Sequence, residues 1–383
     1  MKNRLFVLIN IMVWLHSCHL KEPTNPTFEF ITTKPGYFCQ LEAVTLVGDT
    51  IVIAGSYIAK EDPNLTVQPV YSYLAAFSFS GKMIWEQTPE AADYVRWKFL
   101  LPLPTGGLNV IGIEESPTEG NFITIHPIDL KTGKSPTLHH LWEEGLPLIK
   151  DAQFNAREIV LLRAIPNDTL QCTTLQHINL EGGRYLLPDC HGGQVQETAF
   201  LNPYPDYLAT FGDGFSTQNM YIYTSADVPR NIPLPVGFTG HLVNNIGQLG
   251  SEHALLATTI KNTQGPCLWK SSGMDTTWQH TCLYYWPFHG TALLRQMGHC
   301  TVMAFNAADT AKASSAYLVA FDEGLNVLWQ QKIDSTEVFV IKDWVIENDK
   351  VIVAGTIQTA GQGSEMAVKI IPLPPLACQG AIQ

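Results

Sequence analysis

Seven short apolar runs, spaced almost evenly along 383 residues, constrain this chain more than any other feature. They read DTIVIAGSY from 49, LNVIGIEES from 108, EIVLLRAIP from 158, YLATFGDGF from 207, HALLATTIK from 253, TVMAFNAAD from 301 and KVIVAGTIQ from 350. Successive starts lie 46 to 59 residues apart, and five of the six gaps fall between 46 and 50. Repeats of roughly 40–50 residues that carry four short strands are the mark of β-propeller blades. Unbroken apolar runs, as opposed to alternating ones, suit strands covered on both faces, and neighbouring blades supply that cover.

A more polar strand precedes each run: FCQLEAVTLV, VRWKFLLPL, IKDAQFN, VQETAFLN, HLVNNIGQL, GTALLRQM and FVIKDWVIE. These are expected to be innermost, with Glu42, Lys98, Asp151, Glu197, Asn244, Arg295 and Lys342 facing a wet central channel. After each run comes a hairpin, as in YLAAFSFSGKMIWEQ (73–87) and SAYLVAFDEGLNVLWQQ (315–331). The reading is all-β: a seven-bladed propeller of four-stranded antiparallel blades spanning 27–378. The seventh repeat lacks its outer strand, because SEMAVKIIPL (364–373) runs into the proline-containing PPLACQGAIQ. TFEFITT (27–33) stands alone before the first repeat. Pairing it onto the last blade closes the ring and removes two open sheet edges.

The hairpins resemble those of the PQQ-like repeat family, in which strand, Thr-Gly or Asp-Gly turn, strand and tryptophan follow in order. The resemblance is carried by residues Ile128, Asp129, Leu130, Lys131, Thr132, Gly133 and Lys134, by Ser80, Gly81 and Lys82 with Trp85, and by Gly324 with Trp329. It implies a quinoprotein-type propeller scaffold. The metal-ligand set and adjacent-cysteine pair of the family's quinone dehydrogenases are not found in the sequence, so no cofactor is expected. Tryptophans at blade ends are read as blade-to-blade packing.

Residues 1–17 have the form of a signal peptide: Lys2 and Arg4, then an apolar stretch (5–15) too short to span a bilayer. Leu15-His16-Ser17-Cys18 resembles a bacterial lipobox, which implies lipidation of Cys18 and a polar tether over 18–26. Plain cleavage near Ser17 is the alternative. Lys21-Glu22 resembles the charged export tag of Bacteroidetes surface lipoproteins. The expected location is the outer membrane or cell surface, lipid-anchored, with a periplasm-facing arrangement also open.

In an oxidising compartment the remaining cysteines are expected to pair. Cys172–Cys190 and Cys267–Cys282 each sit across a hairpin, as disulfide geometry requires. The first pair is three residues from the ideal register for a turn at Gly182-Gly183. Cys39 and Cys378 lie near the two ends of the ring as a further candidate pair, which leaves Cys300 as a buried thiol.

Chemistry is harder to find. The sequence has no nucleophile elbow, zincin helix motif, phosphate-binding glycine loop or EF-hand loop. His139 and His140 are adjacent, so on a strand they point to opposite faces and do not share a metal. No metal site is expected. A formal charge of −12 gives no basic footprint for nucleic acid.

Connections between first and second strands, and between third and fourth, read as short. Those between second and third strands and between blades read as longer, and in a meander they open on one face. Elaborated loops on a rigid scaffold are where binding usually lives. That face gathers Tyr71, Tyr94, Phe215, Tyr284, Tyr285, Trp286 and His289. The sequence therefore points to a non-catalytic protein-binding or scaffold propeller within an outer-membrane or surface assembly, with a carbohydrate-binding or glycan-cleaving propeller as the alternative.

Overall fold

The computed structural model describes residues 28–32, 34, 36–59, 68–88, 92–135, 139–143, 148–155, 158–166, 171–179, 182–185, 189–191, 194–200, 206–212, 216–223, 229–235, 237–238, 241–249, 253–260, 265–271, 277–283, 292–297, 300–308, 314–333, 338–347, 350–359 and 363–373. Every regular element among them is a strand. After β1 (Phe28–Thr32), unit one is β2 (Tyr37–Val47), β3 (Thr50–Ala59), β4 (Val70–Ser78) and β5 (Met83–Gln87). Unit two is β6 (Val95–Pro102), β7 (Leu108–Ser116), β8 (Gly120–Ile128) and β9 (His139–Glu143). Unit three holds β10 (Leu148–Asn155), β11 (Glu158–Pro166), β12 (Gln171–Asn179) and β13 (Gly182–Tyr185), with β14 (Asp189–His191) also on β12. In unit four come β15 (Gln194–Phe200), β16 (Tyr207–Gly212), β17 (Thr217–Tyr223) and β18 (Arg230–Ile232). Unit five comprises β19 (His241–Leu249), β20 (His253–Ile260), β21 (Pro266–Ser271) and β22 (Trp278–Cys282). β23 (Leu293–Met297), β24 (Cys300–Ala308), β25 (Ser314–Phe321) and β26 (Val327–Ile333) make unit six. Unit seven has β27 (Val338–Glu347), β28 (Lys350–Thr359) and β29 (Gly363–Pro372).

Its fourth strand is β1, antiparallel to β29 with Phe28 opposite Ile370 and Thr32 opposite Met366. The N-terminal strand thus completes the last unit, as the orphan segment in the sequence required. First strands of successive units touch in turn, and β27 returns to touch β2, so the described units close on themselves. The architecture is all-β and propeller-like.

The core follows from this arrangement. Among the described residues it is divided into seven apolar layers, each between two neighbouring units. On β3, Ile51 and Ile53 pack toward unit seven, while Val52 and Ala54 pack toward unit two. Period-two alternation sends the side chains both ways, and both ways are buried. That is the physical reason the second strands read as unbroken apolar runs.

Innermost strands carry a second regularity. Register shifts mark a bulge at Glu42, Lys98, Lys150, Gln196, Asn244 and Lys342, in six of the seven. A bulge re-aims the side chains beside it. Opposite it the second strand comes too close for a side chain: a Cβ on Gly55 would lie 2.6 Å from the Gln40 carbonyl oxygen, and one on Gly355 2.3 Å from that of Val340.

Two cysteine expectations change. Cys39 is a buried thiol, so it does not bridge to Cys378. Cys300, expected as a thiol, is buried and disulfide-bonded, and its partner is not among the cysteines whose side chains are described. The hairpin pairs fare better. Cys267 and Cys282 are opposite in register and bonded, with S–S 2.00 Å. Cys172 lies opposite Cys190 in the ladder, although their side chains fall outside the described set. Gly182 stands opposite Asn179 and Gly183 opposite Ile178, so both glycines are ladder residues and not the turn, which removes the three-residue mismatch.

Candidate functional site

Where the first strands meet, the residue after the bulge in units three, five and seven joins its unit to the next. Asp151 accepts a hydrogen bond from the Phe200 N–H of unit four at 3.1 Å and from its own neighbour Ala152 at 2.8 Å. Asp343 repeats the pattern, taking the Val44 N–H of unit one at 3.0 Å and the Trp344 N–H at 2.8 Å. Asn245 takes the Leu294 N–H of unit six at 3.0 Å. These side chains act as clamps from units three, five and seven onto the next inner strand.

Charges surround the clamps. Arg295 reaches Asp343 at 2.8 Å, and Lys98 stands 4.0 Å from Glu42. Lys150 donates to the Gln196 carbonyl at 3.1 Å. Burial pushes the Asp151 carboxyl up to about 6, against the lowering effect of its two N–H partners and of Arg295. Burial likewise pushes Glu197 up to about 7, opposed by Lys150 and the Thr198 N–H and assisted by Asp151. Asp343 is also raised by burial, with Arg295 opposing. Lys342 and Arg295 are exposed, and the Asn244 Oδ1 is buried without a hydrogen-bond partner. Sequence reasoning found Asp151 and Glu197, but not the bulge that gives them their direction. The elements that reveal it are the inner-strand polar pairs Lys150-Asp151, Asn244-Asn245 and Lys342-Asp343.

A second cluster lies at the end of unit one where β3 hands over to β4. Tyr37 donates its N–H to the Lys34 carbonyl at 3.1 Å, closing a Lys-Pro-Gly-Tyr turn in which Gly36 has φ +83°. That backbone geometry favours glycine. The turn carries the Lys34 ammonium to 3.6 Å from the Tyr71 ring centre, 4.4 Å from Tyr37 and 5.7 Å from Tyr57. Tyr37 and Tyr71 meet edge to face with centres 5.3 Å apart and share a 3.4 Å hydrogen bond. That bond, with burial, raises the Tyr71 phenol above its ordinary pKa. Tyr57, bonded to Thr32 at 2.9 Å, is pushed up to about 12 mainly by burial.

Tyr94 lies close by. Its N–H and that of Asp93 both donate to the Val70 carbonyl at 3.0 Å, and its own carbonyl takes the Glu115 N–H. Tyr94 has φ +57°, uncommon for a bulky residue. Half-buried Asp93 fixes this corner by accepting from the Ser72 N–H, the Ser72 hydroxyl and the Val95 N–H. Of the aromatic face read from the sequence, Tyr71 and Tyr94 are brought to this corner. Phe215, Tyr284, Tyr285, Trp286 and His289 lie outside the described residues. Lys34, Tyr37, Tyr57 and Asp93 were not anticipated; a Pro-Gly turn next to a tyrosine is the signal that carries the first two.

The loop asymmetry is narrower than the sequence suggests. Ten residues separate β3 (ending at 59) from β4 (starting at 70), and ten also separate β8 (ending at 128) from β9 (starting at 139), a connection of the kind read as short. The 129–133 turn has a packing task. Trp85 of unit one donates its indole N–H to the Leu130 carbonyl at 2.6 Å, and a Cβ on Gly133 would lie 2.7 Å from that ring. The blade-end tryptophan of unit one is therefore packing against unit two.

Among the described residues no group of three His, Cys, Asp or Glu side chains could hold a metal ion. No protein-family profile matches the chain, and no curated protein does. Solved structures do resemble it in fold. The polysaccharide lyase Uly1 superposes with a TM-score of 0.56 at 7% identity, over 91% of this chain and 100% of that one. The AfRom2 CNH domain gives 0.52 at 8%, over 89% and 98%. A putative 6-phosphogluconolactonase from Bacteroides uniformis gives 0.50 at 12%, over 88% and 97%. At such identities the likeness concerns the fold alone.

Proposed function

We propose that this chain is a non-catalytic propeller that docks a protein partner through the face bearing Tyr71, Tyr94 and the 284–289 aromatic run. In this reading Cys18 carries a lipid that tethers it at the outer membrane or cell surface. The observation that carries it is the employment of the ring-centre polar groups. Asp151, Asn245 and Asp343 hold backbone N–H groups of the neighbouring unit, which is scaffold work. Aromatic side chains at the centre of an interface commonly carry most of its energy. Replacing Trp286 by alanine is expected to weaken partner capture from native membranes by about 2 kcal/mol. Lys82→Ala, in the turn at the opposite end of unit one, is expected to leave capture unchanged. Variants are compared at matched melting temperature, and full capture by Trp286→Ala sinks the reading. Cys18→Ser is expected to move the chain from the membrane fraction to the soluble one.

One observation favours the glycan reading as a second choice. Glu197 and Asp151 are interacting carboxyls held at different values, about 7 and about 6, and an acid–base pair rests on such a separation. Turnover of a polysaccharide that disappears in Glu197→Gln, with partner capture intact, would put that reading first.

A further inference from the structure

We infer that Tyr37, Tyr57 and Tyr71 form an ammonium-binding subsite, occupied in the isolated chain by its own Lys34 and taken over by a lysine of the docked partner. The inference rests on the reading that this face docks a protein. A cation within about 6 Å of several ring centres is held by the ring quadrupoles, and such aromatic cages are selective for ammonium groups. Lys34 meets that distance with all three rings. It forms no ion pair with a described carboxylate, so the rings are what hold its ammonium. Exchange of one ammonium for another therefore leaves no buried charge unpaired.

Nor is Lys34 needed to seat the strand before it. β1 is held by its ladder to β29, by the Glu29–Lys369 ion pair at 2.8 Å and by the Thr32–Tyr57 hydrogen bond. The turn itself is closed by backbone. The ammonium is thus an occupant with no described structural duty beyond filling the cage. Tyr37 and Tyr71 are only half buried, which leaves the cage approachable from solvent. The chain's charge of −12 draws cationic groups toward it, and complementarity of this kind sets partner choice.

The test titrates the full chain with tetramethylammonium, with choline, and with a short peptide carrying one lysine or norleucine in its place. Tyrosine ring resonances report occupancy. Lys34→Ala is expected to strengthen tetramethylammonium and lysine-peptide binding by about three- to tenfold. Adding Tyr71→Leu is expected to abolish the gain, and the norleucine peptide is expected not to bind. Should Tyr71→Leu fold poorly, Tyr37→Leu serves the same purpose, and shifts of the Tyr71 ring in the unaltered chain give a direct readout. Choline binding without lysine-peptide binding overturns the assignment to a partner's lysine. A Lys34→Ala chain that melts lower yet gains no ammonium binding shows a structural latch and overturns the subsite. The wider docking reading would still stand there if Trp286-dependent capture persisted.

Discussion

The seam between units three and four and the seam between units seven and one use the same clamp, but they differ in what surrounds it. At the first, Asp151 holds the Phe200 N–H, Lys150 holds the Gln196 carbonyl, and Thr173 meets the Tyr207 hydroxyl at 3.3 Å. At the second, Asp343 holds the Val44 N–H and is braced by Arg295. To this are added a Ser364–Cys39 hydrogen bond at 2.8 Å, a parallel bridge between Phe38 and Ser364, and the whole of β1. Unit four follows unit three along the chain, so covalent continuity keeps them together. Unit one and unit seven stand at opposite ends of the sequence, and only non-covalent contacts join their inner strands. The extra fasteners lie where the chain's own help is the short link from β1 to β2.

The largest test of this difference is to delete residues 19–34. The outer edge of unit seven would be bared, and Phe30 would be lost from its contact with Phe77. The melting temperature is expected to fall by roughly 10 °C or more, with aggregation through the open edge. A deletion variant that melts like the parent would show that closure does not depend on β1.

A smaller effect separates the two clamps. Asp343→Ala leaves the Val44 and Trp344 N–H groups without their acceptor and strips Arg295 of its partner, and is expected to cost about 2–3 kcal/mol. Asp151→Ala, at the covalently continuous seam, is expected to cost about 1–2 kcal/mol. Chemical denaturation of both variants checks the order; equal losses would mean the closing seam has no special dependence on its clamp.

At the seam between units one and two, Gly133→Ala is expected to cost about 1–2 kcal/mol. The residue has φ +73° and an added Cβ would strike Trp85. An alanine variant with unchanged denaturation midpoint would sever the tryptophan contact from seam stability.

The smallest effect concerns pH. The folded Asp151 carboxyl is raised from 3.8 to about 6, so between those values the folded chain holds more protons than the unfolded one. Its contribution to stability is complete below pH 3.8 and is lost as pH rises to about 6. Glu197 acts in the same sense from 4.5 to about 7. His241 acts oppositely. Burial lowers it from 6.5 to about 4, so its contribution is complete above 6.5 and lost as pH falls. Asp151→Asn keeps an acceptor for Phe200, as Asn245 does for Leu294, and removes a buried charge. It is expected to leave stability near pH 4 unchanged and to raise it slightly near pH 8. A variant whose stability follows the parent at every pH would contradict the assignment.

By itself the sequence determined the repeat, and with it most of the fold. Apolar runs such as those at 49 and 350 could be read because a strand buried on both faces must be apolar throughout, whatever its neighbours. The orphan segment at 27–33 and the missing outer strand after Leu373 implied each other, because an unpaired sheet edge is costly. The Cys267–Cys282 bond followed from hairpin spacing alone. Tertiary structure decided what depends on separate units meeting. The Lys34 cage gathers residues from β2, β3 and β4 together with the turn before them. The clamp from Asp343 to Val44 joins residues 299 positions apart. Local propensity and hydrophobic period act over a few residues, and these contacts are fixed only when the ring has closed.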